Sequence, residues 1–148
     1  MATNPLVVVS DPDAECAVLI ARQLELSGYD VVLAKDAEDT VALVEERRPD
    51  ALVIEATLRD RTGYAVVREL RERPRNRLMP IVMVSARAGK LDRDFAFTVG
   101  ADDYVRKPLK CAEIVARLAL LAPVETLEPA RPIFRRPLVS PRPALAAR

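Results

Sequence analysis

Three short, unbroken apolar runs constrain the fold: Leu6-Val7-Val8-Val9, Ala51-Leu52-Val53-Ile54 and Ile81-Val82-Met83-Val84. Continuous runs of this length mark strands buried on both faces, which therefore need helices above and below. The intervening sequence supplies them. Residues 14 to 27 read as a helix with Gly28 as its stop, Asp30 to Ala34 as strand two, and Asp36 to Arg47 as helix two. After strand three come a loop through Gly63 and a helix to about Glu72; a further loop runs from Arg73-Pro74 to Met79. Strand four is Ile81 to Ser85, and helix four is Leu91 to Val99, closed by Gly100. Tyr104-Val105 is a short fifth strand, and Lys110 to Leu121 is helix five. Five βα units predict an α/β fold with a five-stranded, parallel, doubly wound sheet and helices on both faces. The expected strand order is 2-1-3-4-5, with the site at the C-terminal strand ends beside the switch point.

Composition narrows the function classes. The chain of 148 residues has no histidine, which excludes a histidine phosphodonor, histidine-based triads and the usual zinc sites. Neither G-x-x-x-x-G-K-[ST] nor G-x-G-x-x-G occurs. Cys16 and Cys111 make no disulfide framework and read as small buried hydrophobes. No apolar run reaches membrane-spanning length, and the N-terminus lacks a basic region, so no signal peptide and a cytoplasmic location are expected. Residues 129 to 148 hold five arginines and no acid; the other 18 basic residues face 22 acids, leaving about −4 on residues 1 to 128. Six of twelve prolines lie from Pro123 onward. The expected division is a folded domain over 1–122 and a Pro/Arg-rich tail over 123–148, disordered or docking.

Asp11, Glu55, Ser85 and Lys107 all fall at C-terminal strand ends and are expected to converge in one crevice. Longer stretches accompany them: Gly100-Ala-Asp-Asp-Tyr-Val-Arg-Lys-Pro108, Ser85-Ala86, and the loop from Leu58 to Gly63. On these residues, positions 6 to about 121 resemble the response-regulator receiver domain, the CheY-like, flavodoxin-like module of two-component signalling and phosphorelays. The resemblance implies an aspartate nucleophile at position 55, a magnesium ion held by that aspartate and an acidic pair after strand one, and Ser85 and Lys107 on the phosphoryl oxygens. It also makes Tyr104 the aromatic switch that repacks inward, and Pro108 a candidate for a cis peptide bond.

This chain departs from that pattern twice. One acid of the pair is gone, whether the pair falls on Ser10-Asp11 or Asp11-Pro12, so magnesium, with Asp11, Asp13 and Glu55 as weak candidate ligands, would be held poorly; no cofactor is expected. Asp13 fits better as an N-cap or first-turn acid. Glu55 replaces the aspartate and carries its carboxylate roughly 1.5 Å farther out, about one C–C bond. A misplacement of about 1 Å already slows a reaction near 10²-fold. The longer arm can instead reach Lys107, a partly buried lysine in need of a partner.

The expectation is an atypical pseudo-receiver, not an enzyme. It would signal by phosphorylation-independent contact through helix four, strand five and helix five, with another signalling protein or a second copy. Phe95, Phe97 and Arg106 are interface candidates. The two phenylalanines lie about 200° apart around a helix, so one is expected outside the core. The competing readings are a phosphorelay intermediate using an acid other than aspartate, at Glu55 or in the loop at Asp60, and nucleic-acid or membrane binding by the basic tail. The tail, with Ile133-Phe134 and Leu138-Val139 between arginines, resembles a docking peptide; it is too short for a DNA-binding output domain, and nucleic acid is not the expected partner.

Overall fold

The computed structural model describes residues 3–124 apart from 88, 108 and 109, and excludes the side chain of Cys111. Five parallel strands form one sheet in the order β2-β1-β3-β4-β5: β1 Leu6–Ser10, β2 Asp30–Ala34, β3 Ala51–Glu55, β4 Ile81–Ser85 and β5 Asp103–Arg106. Helices α1 Ala14–Leu26, α2 Ala37–Arg47, α3 Gly63–Arg71, α4 Lys90–Val99 and α5 Cys111–Leu121 alternate with them. The predicted sheet, order and helices are therefore found. The strands extend slightly beyond their apolar runs, because Ser10, Glu55, Asp103 and Arg106 still pair in the ladder. The loop after α3 contains a 3₁₀ turn at Pro74–Asn76.

Each face of the sheet has its own core. Val8, Leu52, Ile54, Ile81 and Met83 pack under α2, α3 and α4, against Val44, Val66, Leu70 and Ala96. Val7, Val9, Val53, Val82 and Val105 pack under α1 and α5, against Ile20, Leu24, Ile114 and Leu118. Burying each such side chain contributes roughly 1.5–3 kcal/mol. Helix starts follow local chemistry: Asp13 caps α1 through the Glu15 and Cys16 amides, Asp36 caps α2, and Thr62 caps α3. Beyond α5, the Ala122 carbonyl accepts the Tyr29 hydroxyl at 2.8 Å, and Val124 packs on the α1/α5 core. Pro108 and the tail from residue 125 lie outside the described residues.

Candidate functional site

The register brings the strand-end residues level. Ser10 ends β1 opposite Ile54, Glu55 ends β3 opposite Val84, and Ser85 ends β4 opposite Arg106. Asp11 and Lys107 follow directly on β1 and β5. The Lys107 ammonium lies between two buried carboxylates, 2.7 Å from Glu55 Oε1 and 2.9 Å from Asp11 Oδ2. Burial alone would lower the Lys107 pKa, but the bonds to Glu55 and then Asp11 outweigh it and raise the value well above the ordinary lysine range.

The remaining oxygens are also engaged. Glu55 Oε2 accepts the Thr57 amide at 3.1 Å, and Asp11 Oδ1 accepts the Asp13 amide at 2.9 Å. Ser10 turns away from the crevice and shares a buried 2.7 Å hydrogen bond with Thr40, a partner the sequence did not indicate. Ser85 Oγ accepts the Arg87 amide at 3.1 Å. Gly63 allows the loop after β3 to close tightly: its amide donates to the Ala56 carbonyl at 2.7 Å, and a Cβ there would collide with the Glu55 carbonyl. Among the described residues, no group of three or more acids, cysteines or histidines is arranged to hold a metal ion. Asp13 belongs to the α1 cap, with its carboxylate on two helix amides. Burial, then Asp11, pushes the Cys16 thiol up to about 12, which keeps it protonated.

Asp60 has a structural task. Its carboxylate accepts the Ala37 amide at 2.8 Å and the Glu38 amide at 3.1 Å, capping α2 from the β3–α3 loop; these bonds lower its pKa.

Tyr104 is buried, its hydroxyl donating to the Arg87 carbonyl at 2.5 Å. Phe95 and Phe97 are 47% and 41% exposed, so both stand at the edge of α4, while Ala96 and Val99 fill the core. Phe95 rests on Tyr64 of α3, with ring centroids 4.9 Å apart. Arg106 is exposed at the end of β5. Sequence reasoning did not single out Arg93, whose guanidinium covers the Phe97 and Tyr104 rings; its spacing of four from Phe97 was the available signal.

Comparison with known proteins agrees with this architecture. The family model of the response regulator receiver domain matches residues 7–119. The receiver domain of a sensor histidine kinase from Pseudomonas aeruginosa is 30% identical, with a TM-score of 0.73, covering 82% of this chain and 98% of that one; it has a magnesium ion coordinated in its active-site cleft. The receiver domain of a Francisella response regulator is 28% identical, with a TM-score of 0.75 and coverage of 80% and 97%. The chemotaxis response regulator CheY4 of Vibrio cholerae, at 21% identity, shares the fold, with a TM-score of 0.77 and coverage of 80% and 99%. The chain belongs to the response-regulator receiver family, the signalling modules of two-component regulation. No helix among the described residues is long and apolar enough to cross a membrane.

Proposed function

We propose that this receiver signals by protein–protein contact without accepting phosphate, its phosphoryl site being closed by its own lysine. The carrying observation is the Lys107 ammonium held between Glu55 and Asp11. In a receiver that accepts phosphate, a carboxylate oxygen attacks the phosphorus and the lysine meets a phosphoryl oxygen. Here one Glu55 oxygen faces Lys107 and the other accepts the Thr57 amide.

The family's magnesium ion fits these residues poorly. Magnesium takes near-octahedral oxygen ligands at about 2.0–2.1 Å and is bound through carboxylates. Asp11 and Glu55 already face an ammonium, and the neighbouring strand-end residue is Ser10, bonded to Thr40. A dication would have to displace Lys107 first. On this reading the chain has no catalytic role and works in the cytoplasm. Its output is the face of α4, β5 and α5, where Phe97 and Arg106 are exposed to a signalling partner or a second copy, while Phe95 lies on the α3 side of α4.

The test is intact-mass measurement after incubation with acetyl phosphate and magnesium. The expected result is an unchanged mass. A stoichiometric gain of about 80 Da, one phosphoryl group, would overturn the reading in favour of a phosphorelay intermediate.

A further inference from the structure

Arg93 on α4 holds its guanidinium 5.7 Å from the centroid of Phe97 and 5.8 Å from that of Tyr104. Residues 93 and 97 are about one helical turn apart, so both side chains stand on one side of α4, and Tyr104 presents its ring from β5. Arg93 Nη1 also reaches the Tyr104 carbonyl at 3.4 Å. Its neighbours on this segment are drawn into ion pairs, Arg87 with Asp92 and Lys90 with Asp94. Among the described residues no carboxylate pairs with Arg93, so its charge is directed at the two rings. Tyr104 is thus held at two points: by the Arg87 carbonyl on its hydroxyl and by Arg93 on its ring.

We propose that Arg93 is a positioning residue that latches Tyr104 inward, so that α4 itself sets the state of the α4–β5 face. The consequence for signalling rests on the reading of a closed phosphoryl site; the latch itself does not. A cation held over the two rings is required. Lysine preserves the cation, whereas methionine preserves the bulk alone.

The test is nitration of the full chain by tetranitromethane, with each tyrosine followed by peptide mass mapping. Tyr29, buried on the opposite face and bonded to the Ala122 carbonyl, is the internal reference. Arg93→Ala and Arg93→Met should each raise the Tyr104-to-Tyr29 nitration ratio about two- to fivefold, as expected for loss of one exposed cation–π contact. Arg93→Lys should retain most of the protection. An unchanged ratio in Arg93→Ala overturns the latch. So does full protection by Arg93→Met, which would make the side chain a cover, and so does a parallel rise at Tyr29, which would mean general loosening. An unmoved ratio without phosphorylation of the parent defeats Arg93 alone. Phosphorylation of the parent defeats the closed site while leaving the ratio as the measure of the latch.

Discussion

Removing Lys107 tests the closed site most directly. Lys107→Met keeps the length of the side chain but deletes the cation between Asp11 and Glu55, whose side chains are 2% and 9% exposed. Breaking a buried ion pair by deleting one partner typically costs about 3–5 kcal/mol, because the other charge is left uncompensated. The Lys107 side chain retains 20% exposure, so water reaches part of the site and the lower end, about 3 kcal/mol, applies. With a urea slope of about 1–3 kcal/mol/M, the unfolding midpoint should fall by roughly 1–3 M at pH 7. The sign of the pH dependence follows from the direction of the Lys107 shift. Its folded pKa is raised above the free value of 10.5, so its stabilisation is complete below that value and is lost as pH climbs through the folded one. Urea titrations of both proteins at pH 7 and pH 9, both below that value, check this. A deficit below about 1 kcal/mol at pH 7, or one that shrinks markedly between pH 7 and pH 9, would refute the reasoning.

Gly63→Ala should destabilise by about 1–3 kcal/mol, since its methyl runs into the Glu55 carbonyl; the urea midpoint reads it. Arg71 donates to the carbonyls of Gly100, Asn76 and Met79 and pairs with Asp102 at 2.9 Å. Arg71→Ala should therefore cost about 3 kcal/mol by denaturation, and Arg71→Lys should not rescue it, because an ammonium cannot fork among these acceptors. Asp60→Ala should speed hydrogen exchange at the Ala37 and Glu38 amides while leaving the sheet amides protected. Ser85→Ala removes the acceptor of the Arg87 amide and should raise nitration of Tyr104, whereas Glu55→Gln should not.

The sheet was legible because its strands are covered on both faces and therefore appear as uninterrupted apolar runs; Val7, Val8 and Val9 are all buried. The strand ends were less legible, because Glu55 and Arg106 pair through backbone atoms that hydrophobicity does not report. The meeting of Glu55 with Lys107 could be anticipated, since topology brings β3 and β5 ends into one crevice and the extra methylene supplies the reach. The cap supplied by Asp60 could not be read in advance. An acid in a loop carries no mark of which helix it will face, and the helix it caps begins 23 residues earlier. Arg93 was half legible: its spacing to Phe97 is local, but its stacking on Tyr104 depends on how α4 lies across β5.

These contacts bear on the connection between the strand-end site and the α4–β5 face. The Arg87 peptide joins Ser85 to Tyr104, its amide donating to Ser85 Oγ and its carbonyl accepting the Tyr104 hydroxyl. That half of the connection is intact. The other half requires the residue at position 55, or a group bound to it, to reach Ser85. The Glu55 oxygens instead face Lys107 and the Thr57 amide, while Ser85 has its bond to Arg87. A ligand can shift a two-state element only through a difference in its interactions with the two states. With no bond from Glu55 to Ser85, the strand-end acid has little direct leverage on Tyr104. The contacts that remain on that ring, from Arg87 and Arg93, both come from the β4–α4 segment. On the reading of a closed phosphoryl site, the strand-end residues contribute chiefly to stability, and the conformation offered to a partner is set from Arg87 and Arg93.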